Sequence, residues 1–185
     1  MNYTVIKSRR KTLALQIKGG ELIVRAPMKI STREIENFVC EHKDWIEKHL
    51  KKSRERAERA EQAVPLTDAE IKLLSKQAKA LFAERVDYYA ALIGVDYAKI
   101  TVRRQKMRWG SCSSKGNLSF NLALMLAPPR VRDSVVVHEL CHRKHMNHST
   151  EFYSEMARVF PDHKECRKWL EANGSELIAR VNKGR

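Results

Sequence analysis

The sequence predicts an α+β fold. A small sheet packs against a helix bearing a histidine pair, with a β-hairpin plus helix module in front. Three observations point there. Alternating residues fill the first 30 positions around a Gly19-Gly20 turn. Two capping boxes, Ser31-Thr32-Arg33-Glu34 and Thr67-Asp68-Ala69-Glu70, each open a run with apolar residues at helical spacing. Two short strand-like segments then precede the apolar run Val135–Val137, which leads straight into His138.

The elements follow in order. Tyr3–Ser8 and Thr12–Lys18 alternate, and Glu21–Ala26 returns from the glycine turn before Pro27. From Ser31, one helix places Ile35, Phe38, Val39, His42, Ile46 and Leu50 on a common face. It runs into Lys51–Gln62, a stretch of mixed charge without apolar periodicity that reads as a solvated helical connector. The second helix carries Ile71, Leu74, Ala78, Leu81, Phe82, Val86 and Tyr89 toward a core and is expected to stop near Gly94. Lys99–Arg103 reads as a strand, Ser113–Asn117 as a turn, and Leu118–Leu126 as a second strand. Pro128 and Pro129 suit the first turn of the histidine helix. Further helices are expected from Thr150 and around Cys166–Ala172, with Gly174 breaking the pattern before a short last one. The expected layout is an N-terminal module over residues 1–50, a charged connector over 51–66 and a catalytic domain over 67–185.

Val135–His148 holds four of the seven histidines and the string His138-Glu139-Leu140-Cys141-His142. Side chains four apart project from one helical face, about 6 Å apart along the axis. Both imidazoles can therefore reach one tetrahedral Zn²⁺ at about 2.0–2.1 Å. Glu139, beside the pair, is placed to act as general base without being a ligand. A catalytic zinc needs a third protein ligand and an open position. His148 leads, because a straight helix would carry His145 about 10.5 Å along the axis from His138. The chain is expected to leave the helix near His145 or Met146 and turn at Asn147, bringing His148 back, with Ser149 capping the next helix. His145, Glu151, Glu155 and Glu165 stay open as alternatives. Cys141 points to the side of the histidine pair and reads as a packing residue.

At 185 residues and 43% hydrophobic content, the chain suits one domain of ordinary size, or a compact core with a smaller appendage. No apolar run reaches the roughly 20 residues that span a bilayer, and the N-terminus lacks the apolar core of a secretory signal. No membrane partner is expected. Cys40, Cys112, Cys141 and Cys166 show no paired spacing, so reduced thiols and a cytoplasmic location are expected. The net charge of +14 favours acidic partners, nucleic acid among them, although dispersed lysines and arginines also serve simply as a solvated surface.

Arg108-Trp109-Gly110-Ser111-Cys112-Ser113, then Gly116-Asn117-Leu118, Asn121, Leu124, Pro128 and HELCH…NHS…F ending at Phe152 resemble the YgjP-like metal-dependent hydrolases. The opening SRRKT, the VRAP turn and Trp45-Ile46 fit as well, so the resemblance covers almost the whole chain. It implies a minimal zincin-like fold related to SprT-type and WLM-type proteases, with a small mixed sheet packed against the His138 helix and a second long helix. It also implies zinc on His138, His142 and His148, with Glu139 as general base, and places Trp109 and Ser111 near the cleft.

The expected activity is zinc-dependent hydrolysis of a peptide or protein substrate, with one Zn²⁺ per chain. The stretch between Trp109 and Leu126 is the candidate edge for pairing with an extended substrate, with Asn121 or a nearby backbone group holding the scissile carbonyl. Tyr153, His163 and Arg158 are unranked candidates for an oxyanion stabiliser. Two rivals stand beside this reading: an SprT-like protease acting on DNA-bound proteins, and a non-catalytic nucleic-acid-binding module with structural zinc.

Overall fold

The computed structural model describes residues 2–183. Its contacts divide the chain into two units, Met1–Glu61 and Gln62–Arg185. In the first, β1 (Thr4–Ser8), β2 (Ala14–Lys18) and β3 (Glu21–Pro27) form a sheet in the order β1-β3-β2. The glycine turn closes β2 and β3 into an antiparallel hairpin with Lys18 opposite Glu21, while β1 pairs with β3 in parallel. Leu22, Val24 and Ala26 alternate inward on β3 and meet Ile35 and Val39 of α1 (Thr32–Glu41) and Ile46 of α2 (Lys43–Gln62). The capping box forms as expected: Ser31 Oγ accepts from Glu34 N, and the Glu34 carboxylate accepts from Ser31 N at 3.0 Å. The single helix expected through His42 is instead two. His42 Nδ1 donates to the Phe38 carbonyl at 2.8 Å, occupying the acceptor that a continuous helix would give to the His42 amide.

The second unit begins with α3 (Asp68–Ile93), opened by the Thr67–Glu70 capping box and ended at Gly94. Its sheet comprises β4 (Lys99–Arg103), β5 (Gly110–Cys112) and β6 (Asn117–Asn121) in the order β4-β6-β5. β4 runs parallel to β6 and β5 antiparallel to it. The strand expected over Leu118–Leu126 stops at Asn121. There the Asn121 side-chain oxygen accepts from Ala123 N at 3.0 Å and turns the chain into a short 3-10 helix, Leu122–Leu126. Sequence reading missed β5 because Gly-Ser-Cys offers none of the branched or aromatic alternation that marks a strand.

Phe82 of α3 and Phe120 of β6 stack at 4.6 Å, both fully buried. Burying a side chain of this size contributes about 1.5–3 kcal/mol. α4 (Pro129–Cys141) packs on α3 and is fastened to it by Arg85, which donates from Nε and Nη2 to both carboxylate oxygens of Asp133 at 3.0 and 2.7 Å. The β-branched run Val135–Val137 is a poor intrinsic helix former. Burial of Val135, Val136, Val137 and Leu140 in the core overrides that preference.

α5 (Thr150–Val159) and α6 (His163–Asn182) complete the unit. Gly174, expected to break the last helix, lies inside α6. A Cβ there would stand 2.3 Å from Trp109 Cζ2, so the glycine makes room for the indole. Among the described residues, no helix is long and apolar enough to cross a membrane.

Candidate metal centre

His138 lies in the last turn of α4 and His142 caps its C-terminus. The helix stops sooner than expected. His145 N donates to the Cys141 carbonyl at 3.0 Å and Arg143 N to the Leu140 carbonyl at 2.9 Å, tightening the chain into a turn. Asn147 does not supply a left-handed corner, since positive φ among the described residues is confined to glycines. His148 nevertheless returns over the helix end, and its Nε2 lies 3.1 Å from His138 Nε2.

Two further contacts hold the trio. His142 Nδ1 donates to the His145 carbonyl at 3.0 Å, which leaves Nε2 with its lone pair free. Beneath the three rings lies Phe152, fully buried, with its centroid 4.9 Å from His138, 4.7 Å from His142 and 4.9 Å from His148. Ser149 caps α5 by accepting from Phe152 N, so the residue after His148 fixes the floor under it.

These three histidines each offer a ring nitrogen, all within 4.8 Å of one another. A tetrahedral ion at about 2.0–2.1 Å from each nitrogen needs them roughly 3.3 Å apart, close to the His138–His148 separation. Burial, reinforced by His142 and His148, drives the His138 imidazole down to about 4, and burial also lowers His142. Both therefore stand neutral at ordinary pH, the form that ligates metal. The donor set fits a divalent metal ion.

Glu139 is 5% exposed, and burial pushes its carboxyl up to about 8. Gly110 of β5 faces it so closely that a Cβ would stand 2.5 Å from Glu139 Oε1. β5 is the edge of its sheet, so a free strand edge runs past this carboxylate. Alternation turns Cys112 to the same side as Gly110, where burial and Glu139 together raise its thiol. Sequence reading left out this placement of Cys112 beside Glu139, because it depends on β5, which has no strand signal of its own.

The remaining candidates separate on geometry. Ser111, opposite Ser119 on β6, turns to the face away from Glu139. Trp109 is half-buried with its indole against Gly174. Asn121 is fully buried and donates to the Gln105 and Arg108 carbonyls at 2.9 and 2.8 Å. Those bonds hold the loop before β5. Cys141 is buried in the core.

Glu151 and Glu165 stand in the first turns of α5 and α6, outside the histidine cluster. Glu155 accepts from Arg158 Nε at 3.0 Å and from Lys144 Nζ at 2.8 Å. Those bonds commit Arg158 elsewhere and hold the Glu155 carboxyl down to about 2. Because this folded value lies below the ordinary 4.5, the pairing stabilises the fold above that pH and is lost as pH falls toward 2. Glu155→Gln is expected to lower the melting temperature at neutral pH and to flatten its fall in acid, as thermal melts across that range would register.

The family described as YgjP-like, metallopeptidase domain, matches residues 11–73 and 66–173 of the chain. Among solved structures, the metallopeptidase zymogen of Pyrococcus abyssi abylysin is similar at 23% identity, covering 48% of this chain and 90% of that one, with a TM-score of 0.45. The metallopeptidase zymogen of Methanocaldococcus jannaschii jannalysin is similar at 19% identity, covering 48% and 92%, with a TM-score of 0.44. No curated protein matches the chain.

Proposed function

Because the chain belongs to the YgjP-like metallopeptidase family, we propose that it hydrolyses peptide bonds with one zinc ion held by His138, His142 and His148. The observation that carries this reading is the convergence of three ring nitrogens within 4.8 Å at the end of a helix that also bears a buried carboxylate. An all-imidazole donor set suits zinc. When bound, the ion supplies Lewis acidity, polarising the substrate carbonyl and acidifying water.

The chain's own groups do the rest. Glu139 takes the proton of the attacking water on its carboxylate and returns it to the leaving amine. A cation beside it favours its charged form and so offsets the effect of burial. The His145 carbonyl keeps the His142 ring in one tautomer, and Phe152 keeps water from under the cluster. The open edge of β5 offers backbone groups to an extended peptide. Trp109 shapes this cleft by its seat on Gly174, and Ser111 contributes its backbone. With Arg158 tied to Glu155, the oxyanion role falls to Tyr153 or His163, whose rings stack at 6.3 Å. Residues 67–185 form the catalytic part in this reading, with 1–50 an accessory module joined through 51–66.

His148→Ala tests the ligand set. It is expected to weaken zinc binding more than tenfold while the fold survives, measured by competition with a chromogenic chelator. Unchanged affinity would transfer the third ligand to another residue.

A second reading, proteolysis of DNA-bound proteins, is favoured by the net charge of +14. It expects DNA affinity to fall steeply with salt in a filter or anisotropy titration, and no binding at low salt removes it. The non-catalytic alternative needs a closed, four-ligand zinc site. Among the described residues only three groups converge, which favours the catalytic reading.

A further inference from the structure

The charge around β5 is one-sided. From residue 97 to residue 132 the chain has eight lysines and arginines and no aspartate or glutamate. Four of these cations, Arg103, Arg104, Lys106 and Arg108, cluster in the segment that leads into β5. Arg103, Lys106 and Arg108 are exposed, and none of the four forms an ion pair among the described residues. Arg104 Nε is buried and meets no acceptor among them.

This segment is also built. The Gln105 carbonyl accepts from Asn121 Nδ2 at 2.9 Å and from Asn182 Nδ2 at 3.4 Å, and the Arg108 carbonyl accepts from Asn121 Nδ2 at 2.8 Å. Gln105 Nε2 donates to Ser119 Oγ at 3.1 Å. The backbone between Gln105 and Arg108 is therefore held, and Lys106 and Arg108 extend from it into solvent. Past the other end of β5, Arg143 is neutralised by donating to Asp96 Oδ1 at 2.9 Å, which leaves the single exposed Lys115 in that turn against the four cations before the strand.

We infer that the 103–108 segment is a specificity rim that selects peptides with acidic residues on one side of the scissile bond. The inference rests on the proposed peptidase reading and extends it to a substrate class. Gly110 marks the reacting position because it lies against Glu139. At about 3.3 Å per residue, a peptide paired with β5 brings its residues roughly two to four positions from the scissile bond alongside Arg108 and Lys106. The carboxylates there meet unpaired guanidinium and ammonium groups carried on that held backbone. A nucleic acid would draw equally on basic residues anywhere on the surface; this cluster is placed by the strand that passes the general base.

The test uses zinc-loaded full-length protein and matched fluorogenic peptides with one cleavable bond. Each carries an Asp-Asp or Asn-Asn pair on one side of that bond or the other. The expected result is a roughly three- to tenfold higher kcat/KM for the acidic pair on one side only, fading with added salt. In Lys106→Gln/Arg108→Gln protein the acidic-to-neutral ratio should fall to about one, and Arg108→Glu should shift the preference toward a lysine-bearing peptide. Anisotropy of the same labelled peptides on zinc-loaded Glu139→Gln protein should show the same preference without turnover. Equal cleavage of all peptides, or a double variant that loses acidic and neutral cleavage alike, overturns the inference and leaves the peptidase reading intact. If a short DNA duplex competes with both peptides only while Lys106 and Arg108 are present, the rim is a nucleic-acid contact and the inference fails. Absence of any cleavage by zinc-loaded wild type, with no charge preference in binding, overturns both.

Discussion

Glu139→Gln is expected to abolish peptide hydrolysis while leaving metal binding unchanged. The substitution keeps the size of the side chain and removes only its capacity to accept a proton. Its carboxylate is 5% exposed beside His138, so no bulk water stands ready to replace it as base. General acid–base assistance of this kind is worth about 10²–10⁴-fold, and kcat/KM should fall by that factor. The proposed metal ligands are untouched, so zinc content should stay at one per chain. A variant that loses zinc together with activity would mean that Glu139 holds the site together, and the division of labour proposed for it would fail.

Gly110→Ala should damage activity almost as severely without touching any group that reacts. A methyl at residue 110 would stand 2.5 Å from Glu139 Oε1 and 2.7 Å from its Cγ, distances no real contact tolerates. Either β5 moves outward or Glu139 leaves its place, and both separate the substrate edge from the base. A displacement of about 1 Å can cost roughly 10²-fold in rate. Since the histidines lie elsewhere, zinc affinity should hold while kcat falls. Steady-state kinetics alongside zinc titration distinguish this from general unfolding. An alanine variant with normal kcat would show that β5 and Glu139 are not mutually fitted.

The order of events along the chain was legible in the sequence because it is written in local chemistry. Ser31 with Glu34 and Thr67 with Glu70 announce two helix starts, and both capping boxes form. His138 and His142, four apart in a helical run, announce one face of a helix. What escaped depends on long-range contact. Trp109 comes to rest on Gly174, 65 residues later in the chain, so that a glycine expected to end a helix instead sits buried inside it. β5 is recognised only by its pairing with β6, since Gly110-Ser111-Cys112 has no strand signal of its own. Asn121 looked like a polar group available to substrate; only the fold brings the Gln105 and Arg108 carbonyls to its amide. The turn that returns His148 was expected at Asn147, whereas bonds to the Leu140 and Cys141 carbonyls make it earlier. Phe152, under all three imidazoles, needed the packing of α5 to reveal its place.

Whether a metal on His138, His142 and His148 makes this chain a peptidase is decided by stripping and refilling the site. Chelator-treated protein would be assayed on unfolded casein before and after titration with zinc. The stripped protein should be inert, with activity that rises linearly on refilling and levels off at one zinc per chain. Hydrolysis that survives complete stripping, or zinc that binds at one per chain without any hydrolysis, would contradict the peptidase reading.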